Sequence, residues 1–362
     1  MDPRSNAYQG CLLGMAVGDA MGYSVDKLSW EEITETYGPN GLLGFDLANG
    51  SADVTSYTQL AAFVCNGLIL GTTRGNPEYY NRFLALAVRE WAKSQQFRTG
   101  SERTRCWIAQ VPALRRRYCM DTQLLDALTR ENLGTPERPV FRSDTPSTLS
   151  AAAAVGLCWE SWQMTPERVC RLGAEVVAFT HGRPESFVAG AFVSCAMMTI
   201  AQNPEKTYQD CFEAALEFVK AQLGEDYPES CAALEKKIQE ALALTRDPEL
   251  TPLEAMSRME CTTAAQCVAG AVYTACIHPG NFDEAMIVSV NHAGRSCAVG
   301  ALVGAFLGIR MGAEELPAFY LESLECAPTL EELAQDLLDG RQVSRIFDDS
   351  WDQKYVQGMP NQ

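Results

Sequence analysis

The sequence of 362 residues predicts an all-α fold, because apolar periodicity and helix start signals agree along most of the chain. Segments such as AAFVCNGLI, RFLALAVREWA and CFEAALEFVKAQL carry apolar residues at spacings of three and four, the pattern of a helix with one buried face. Alternating strand patterns are scarce, and neither a linker nor a long-period repeat divides the chain. We therefore predict one compact helical bundle over residues 1–362, ending in a polar, mobile tail from about residue 348.

Helix caps justify several of these elements individually. Asn281 precedes an apolar segment with acidic residues in its first turn, which complements the positive end of a helix. Thr165 and Thr251 are each followed by proline, which suits the first helical position. Two long irregular stretches, residues 38–53 and 131–148, separate helical segments. Loops of this length in a compact domain are often functional, although a simple surface excursion explains them equally well.

Two helical segments carry glycine at every fourth position, which places the glycines on one face of each helix. Each glycine inside a helix costs roughly 0.5–1 kcal/mol relative to alanine, so a packing gain must offset the repeated loss. We predict that both glycine faces lie in the core, where packing against each other would bring the two ends of the chain together. The glycines are Gly10, Gly14, Gly18 and Gly22 in the first segment, and Gly300, Gly304 and Gly308 in the second.

The net charge of the chain restricts which kinds of molecule can be its binding partners. The formal net charge is −17 and the isoelectric point is about 4.7, so phosphate backbones and anionic membrane surfaces repel the chain. The basic run RRR at residues 115–117 is interpreted as a solvated helix face. We therefore expect neither nucleic acid nor a membrane among the partners.

Cysteine usage and apolar runs bear on the compartment. The 14 cysteines form no CxxC pair, and several, such as Cys195 and Cys267, lie in apolar helical segments where cysteine acts as a small buried residue. No signal-peptide pattern opens the sequence, so we expect a cytoplasmic protein with reduced thiols. The apolar runs 187–201 and 298–309 are shorter than the ~20 residues that span a bilayer, which favours buried helices.

Particular segments resemble one enzyme family. GCLLGMAVGDAMGYSVD (residues 10–26), TSYTQLAAFVCNGLI (55–69), the segment from Phe179 that begins FTHGRPESF, and the stretch 264–309 resemble the ADP-ribosylglycohydrolase family, in the same order. The resemblance covers most of the chain. It implies an all-α bundle whose central cleft holds a pair of Mg²⁺ or Mn²⁺ ions, and an activity that removes ADP-ribose from modified side chains or related conjugates.

The departures from the family pattern fall on its metal ligands. The first ligand block of the family is Thr-Asp-Asp-Thr, and the corresponding residues here are Thr55, Ser56, Tyr57 and Thr58, so both aspartates are absent. Asp53 would retain one acid in a shifted alignment, but the helical segment that follows fits the family frame better without the shift.

The second ligand block has changed as well. The family pattern Gly-Gly-Asp-x-Asp-Thr is represented by AGRSCA, in which Arg295 and Cys297 replace the aspartates and Ala298 replaces the ligand threonine. The acid that the family places in its opening loop survives as Asp26, where glutamate is usual. The family's middle motif, Asn-Gly-x-x-Met-Arg, is not recognisable in residues 143–156.

These replacements remove the charge that a magnesium pair requires. Mg²⁺ prefers carboxylate, carbonyl and water oxygens, and four carboxylates are gone. Arg295 adds a fixed positive charge, which repels a cation and would pair bidentately with a pyrophosphate. We therefore predict that the magnesium pair is lost and that the protein has no metal cofactor.

The candidate site residues follow from these blocks and their neighbours. Asp26 is the candidate general base, and a plain loop aspartate is the alternative. The favoured role of Asp19 is hydrogen bonding at a helix end, and that of His181 is structural. Cys297 is either a small buried residue, which we favour, or a nucleophile with a lowered pKa. The candidate cleft residues are Asp19, Thr55, Ser56, Tyr57, Thr58, His181, Asn291, Arg295 and Cys297.

Three functions stay open at this point. The first is a protein that keeps a cleft for ADP-ribose or a related nucleotide but has lost metal-dependent hydrolysis. The second is a metal-independent hydrolase of N-glycosidic bonds that uses Asp26 as its base. The third is a structural or interaction protein whose cleft is filled by Tyr57 and Arg295. Function depends on the site, so the fold alone does not decide among them.

Overall fold

The protein is described by a computed structural model over residues 2–47, 50–73, 80–96, 104–118, 121–158, 164–343 and 348–357. Within these ranges the regular secondary structure is helical, and two isolated β-bridges, Ala52 with Leu324 and Thr135 with Arg138, take the place of a sheet. The predicted all-α fold is therefore confirmed. Seventeen α-helices follow one another along the described chain.

The first nine helices carry the first glycine segment and the altered Thr55–Thr58 block. They are α1 (Pro3–Tyr23), α2 (Trp30–Tyr37), α3 (Ser56–Thr73), α4 (Tyr80–Gln96), α5 (Thr122–Thr129), α6 (Leu149–Gly156), α7 (Pro166–Ala178), α8 (Pro184–Gln202) and α9 (Tyr208–Leu223).

The remaining helices carry the second glycine segment and the C-terminal elements. They are α10 (Pro228–Leu244), α11 (Pro252–Met259), α12 (Ala264–Ile277), α13 (Phe282–Val290), α14 (Ser296–Met311), α15 (Ala318–Leu321), α16 (Ala327–Val343) and α17 (Asp349–Trp351), which continues into a π-helical turn, Asp352–Gln357.

The predicted caps begin the helices to which they were assigned. The Asn281 side chain accepts a hydrogen bond from the Glu284 amide at 3.2 Å, at the start of α13. Thr165 does the same at the start of α7. Thr251 forms a reciprocal capping box with Glu254 at the start of α11. In each case the sequence alone identified the side chain that satisfies an otherwise unpaired helix amide.

The glycine faces of α1 and α14 pack directly against each other. A Cβ atom placed on Gly304 would lie 1.9 Å from the carbonyl oxygen of Gly14, and one placed on Gly18 would lie 1.9 Å from that of Gly300. No side chain fits in such a contact, so the two backbones touch. The prediction that these helices lie in the core is confirmed, and their contact joins the two ends of the chain.

Helix α8 is a long apolar element of the core. By length and composition it is the one helix among the described residues that could cross a bilayer, but 78% of its most apolar stretch is buried inside the protein. The helix has 19 residues and is longer than the apolar run 187–201 predicted, since polar residues at both ends continue it. Its burial agrees with the predicted core helix.

The C-terminal segment differs from the mobile tail that its polar sequence predicted. Trp351 and Tyr355 are both buried. The Trp107 indole N–H donates to the Tyr355 hydroxyl at 2.9 Å, and this hydroxyl donates to Asp336 at 2.6 Å. Two aromatic side chains supply enough apolar area and enough hydrogen bonds to hold residues 348–357 against α3 and α16.

Removing the close approach of α1 and α14 is expected to destabilise the protein. In Gly304→Ala the added methyl group must displace the α1 backbone, and overpacking of this kind costs roughly 1–3 kcal/mol or more. Urea unfolding followed by circular dichroism measures the loss. Gly280→Ala is the matched control, because a Cβ there meets no atom within 4 Å. Equal stability of the two variants would contradict the proposed role of the glycine contact.

Candidate functional site

The contact of α1 with α14 brings the loop after α1 to the beginning of α14. The Lys27 amide donates to the Gly294 carbonyl at 3.0 Å, and the Cys297 amide donates to the Asp26 carboxylate at 3.3 Å. Asp26 therefore lies at the N-terminal end of α14, where the backbone amides and the helix dipole favour an acidic group. The opening loop and the second altered block form one site.

Asp19 organises the first altered block from the same side. Its buried carboxylate accepts four hydrogen bonds: the Thr55 amide at 2.8 Å, the Thr55 hydroxyl at 2.5 Å, the Thr58 amide at 3.0 Å and the Thr58 hydroxyl at 2.7 Å. Burial raises the pKa of Asp19, and these donors oppose the rise. The predicted hydrogen-bonding role at a helix end is confirmed, because Asp19 holds the start of α3.

Tyr57 occupies the space beside Asp26. Only 7% of the residue is exposed, and burial together with the Asp26 charge raises the pKa of its phenol well above the ordinary value. The Ser150 hydroxyl donates to the Tyr57 carbonyl at 2.7 Å and fixes this first turn of α3. Ser56, the other residue that replaces an aspartate, is buried next to it. A neutral phenol therefore lies where the resemblance implied a carboxylate.

Arg295 is a cation at the beginning of α14, next to the turn that the Lys27 backbone contacts. Its backbone amide donates to the Cys261 carbonyl at 2.8 Å, which anchors the residue, and its side chain is half-buried. Its charge lowers the pKa of both Asp26 and Tyr57, so the guanidinium lies within their electrostatic reach. Within the described ranges the guanidinium makes no hydrogen bond or ion pair with a protein group.

Cys297 is a buried thiol, as the favoured interpretation predicted. It is 3% exposed, and burial, followed by the nearby Asp26 and Asp19 carboxylates, raises its pKa well above the ordinary value. The attacking form of cysteine is the thiolate, so this environment suppresses nucleophilic chemistry. The effect of burial exceeds that of the α14 N-terminus, which was the reason to expect a lowered pKa.

Asp26 is the carboxylate that remains available for chemistry. It is half-buried, and desolvation raises its pKa, whereas the Cys297 amide, Arg295 and Lys27 act in the opposite direction. A carboxyl pKa raised above its ordinary value is the direction of shift that carboxylates acting as general acids or bases show.

The donor set does not fit a magnesium pair. The side chains at the implied ligand positions are a serine hydroxyl, a phenol, a guanidinium, a thiol and the methyl group of Ala298. Asp19 already accepts four protein hydrogen bonds, which leaves Asp26 as the acid of the site. A search of the described residues finds no group of three or more His, Cys, Asp or Glu side chains that could hold a metal ion. Hard divalent cations require several oxygen ligands, so these residues do not form such a site.

Asp53, the acid of the shifted alignment, is engaged elsewhere. Its carboxylate pairs with Arg116 and accepts a hydrogen bond from the Tyr118 hydroxyl at 2.8 Å. Arg116 also pairs with Glu325, so this part of the basic run is an ion-pair centre rather than the solvated helix face that was predicted. The Tyr118 ring packs against Tyr23, with ring centroids 5.1 Å apart. Tyr23 is exposed and lies within electrostatic reach of Cys297.

His181 belongs to a separate network of hydroxyl groups. Its Nε2 shares a hydrogen bond with the Thr145 hydroxyl at 2.8 Å, and its Nδ1 shares one with the Thr180 hydroxyl at 2.7 Å. Asp121 accepts from the hydroxyls of Ser147 at 2.6 Å and Thr145 at 3.1 Å. Burial lowers the pKa of His181 to about 4. The predicted structural role is confirmed, since the network ties the loop 131–148 to the bundle.

Asn291 and His292 also have structural roles. The Asn291 amide donates to the carbonyls of Leu42 at 2.9 Å and Ile287 at 2.8 Å, and its oxygen accepts from the Leu42 amide at 2.8 Å. The predicted cleft residue Asn291 therefore fixes the loop 38–53. The His292 Nδ1 accepts from the Gly294 amide at 3.0 Å, and its Nε2 donates to the Ser289 carbonyl at 3.0 Å. This ring shapes the turn before α14.

Comparison with known proteins defines first the fold and then the family. A solved structure named ADP-ribosylglycohydrolase-related protein complex matches with a TM-score of 0.60 and 18% identity, covering 94% of this chain and 100% of that chain, which shows a shared fold. The sequence matches the ADP-ribosylglycohydrolase family over residues 1–346, and the chain belongs to this family. An uncharacterized protein of Archaeoglobus fulgidus is 25% identical over 339 residues, which are 92% of this chain and 96% of that protein.

Substitution of Asp19 tests whether its hydrogen bonds stabilise the start of α3. One Asp19 oxygen accepts from the Thr55 hydroxyl, and the other accepts from the Thr55 amide, the Thr58 amide and the Thr58 hydroxyl. In Asp19→Asn one oxygen becomes an NH₂ group, so at least one donor at the start of α3 loses its acceptor, at about 1–3 kcal/mol for each lost bond. Urea unfolding measures this loss of stability. Asp226→Asn, at an exposed position, is the control and should change stability by less than about 0.5 kcal/mol. A wild-type stability for Asp19→Asn would exclude the capping role.

Burial of neutral His181 predicts a specific dependence of stability on pH. Its pKa falls from 6.5 to about 4 on folding, so its contribution is complete above pH 6.5 and is lost as the pH falls towards 4. His181→Gln should therefore make the free energy of unfolding less dependent on pH in this window, by up to about 1.4 kcal/mol per pH unit. Urea titrations at pH 6.5, 5.5 and 4.5 measure the slope. Parallel slopes for variant and wild type would contradict the assignment.

Proposed function

We propose that this protein binds ADP-ribose or a related nucleotide diphosphate without a metal ion and has lost the metal-dependent hydrolysis implied by its family resemblance. The observation that carries the proposal is the Arg295 guanidinium, which stands at an implied metal-ligand position near Asp26 but makes no hydrogen bond or ion pair within the described chain. A half-buried, unpaired guanidinium is costly unless an anion completes it.

The chemistry of the ligand follows from this guanidinium. Its planar fork of N–H donors matches two oxygens of a phosphate or pyrophosphate. A single arginine thus supplies the anion contact that bound metal ions would otherwise make. Asp26, beside it, is placed to accept a hydrogen bond from a ribose hydroxyl of the same ligand.

Two tyrosine rings near the proposed cleft would suit a ligand with a flat ring. Tyr23 is exposed and packs at a tilt against Tyr118, and Asp53 fixes the Tyr118 hydroxyl. Aromatic side chains at a cleft entrance offer faces on which a nucleobase stacks. The Asp53–Arg116 pair holds this entrance in place.

A second candidate function rests on Asp26 alone. Its raised pKa suits a general base, so a metal-independent cleavage of an N-glycosidic bond is the alternative activity at the same site. Water is the only other reactant. Asp26 would take a proton from the water molecule while the water oxygen attacks the anomeric carbon and the bond from that carbon to nitrogen breaks. The leaving nitrogen would take up a proton from solvent.

Calorimetric titration of ADP-ribose, once with Mg²⁺ and once with EDTA, tests the first proposal. We expect equal affinity in the two buffers. Arg295→Gln should weaken binding by roughly 10-fold or more, because hydrogen bonds to charged groups contribute about 1.5–3 kcal/mol. The matched control is Arg171→Gln, which removes an exposed arginine on α7.

Three results would overturn the proposal: binding that requires Mg²⁺, wild-type affinity in Arg295→Gln, or no binding at all. Incubation of an ADP-ribosylated arginine peptide in EDTA, followed by mass spectrometry, examines the alternative activity. Release of ADP-ribose that is abolished by Asp26→Asn would establish the second function in place of the first.

A further inference from the structure

A pocket lies at the far end of α14 from Arg295. Fifteen residues of helix separate Arg295 from Arg310, which corresponds to about 22 Å. The pocket has a volume of about 580 Å³ and lies where α9 begins and where α10, α12 and α14 end. Its size is within the range of small-molecule sites. The residues that line it include Thr207, Tyr208, Gln209, Cys276, Ile277, Pro279 and Arg310.

Arg310 is an uncompensated cation in this pocket. Its side chain is half-buried, its Cζ lies 3.8 Å from the centroid of the Tyr208 ring, and its Nη2 donates to the Cys211 sulfur at 3.4 Å. The Nε atom is buried and has no hydrogen-bond partner. No carboxylate of the described chain lies within ion-pair distance of this guanidinium. Stacking on a tyrosine and a weak sulfur contact do not replace a counter-ion.

The beginning of α9 supplies a second set of donors. Thr207 and Asp210 satisfy each other in a capping box, in which the Asp210 amide donates to the Thr207 hydroxyl at 3.1 Å. Within the described residues this leaves the amides of Tyr208 and Gln209, at the pocket wall, without an acceptor. First-turn amides of a helix carry partial positive charge and bind anions.

The acidic residues near the pocket have their own partners. Asp210 belongs to the capping box, and Glu213 accepts a hydrogen bond from the Gln209 side chain at 2.7 Å. Cys276 also faces the pocket, but burial raises its pKa to about 12 and keeps the thiol protonated. The arrangement is therefore suited to binding an anion rather than to chemistry on it.

We propose that this pocket binds a small organic phosphate, with the phosphate group on Arg310 and the first amides of α9, and the organic part against Ile277 and Pro279. The fork of the guanidinium and the two free amides match the oxygens of a phosphate group. The apolar side chains favour a phosphate ester over the free ion. This site is independent of the ADP-ribose cleft, because the two use opposite ends of α14.

Hydrogen exchange of the wild-type protein locates the site without any substitution. With phenyl phosphate as the probe, peptides that cover residues 207–213 and 306–312 should exchange more slowly, whereas peptides around residue 295 should not change. Protection confined to the peptides around residue 295 would assign the phosphate to the other cleft and overturn the proposal. Absence of protection in all peptides would overturn it as well.

Calorimetric titration with phenyl phosphate then tests the contribution of Arg310 to binding. Arg310→Gln should weaken binding by roughly 10-fold or more, and Arg310→Lys should weaken it less, because the charge is kept but the fork is lost. Arg171→Gln, which removes an exposed arginine on α7, is the matched control and should leave the affinity for phenyl phosphate unchanged. Equal affinity of Arg310→Gln and wild type would exclude the proposed site. Weaker binding of phenyl phosphate than of inorganic phosphate would exclude the organic subsite.

Discussion

The backbone contact between α1 and α14 is the constraint on which the other features depend. The glycines let the helices touch without side chains between them, and each such contact fixes the axial register of one helix against the other. The register decides which residues meet at each end of the pair. At one end the loop that carries Asp26 meets the turn that carries Arg295, and at the other end α1 reaches the turn after α14, where the Glu314 amide donates to the Asn6 side chain.

This constraint explains how the site keeps its shape although its implied metal ligands have been replaced. Asp19 is held by α1 and caps α3 through Thr55 and Thr58, so the first block is positioned by protein hydrogen bonds. The second block is positioned by the amide contacts of Cys297 with Asp26 and of Arg295 with Cys261. None of these interactions needs a metal ion. The side chains that point away from them were therefore free to change without loss of the scaffold.

The sequence predicted what depends on local spacing and missed what depends on distant partners. Helix periodicity, the caps at Asn281 and Thr165, and the glycine faces are all properties of neighbouring residues, and each was confirmed. The sequence placed Asn291 in the cleft but did not predict its hydrogen bonds to Leu42. The two residues are 249 positions apart, so no local pattern indicates the contact. The buried C-terminal segment escaped prediction for a similar reason, since Trp351 and Tyr355 acquire their environment from other helices.

The charges at the site bear on the proposal that one arginine binds an anionic ligand there. Two divalent cations held by several carboxylates leave a site that is close to neutral and attracts phosphate through the metal ions themselves. Removing the cations alone would leave uncompensated acids that repel the ligand. In this chain, all four aspartates that the resemblance implies are replaced, by Ser56, Tyr57, Arg295 and Cys297. Asp26 is the carboxylate that remains near the Arg295 guanidinium. Under the proposed function, a guanidinium beside one carboxylate would bind the anionic group through hydrogen bonds, where the family resemblance implies metal ions.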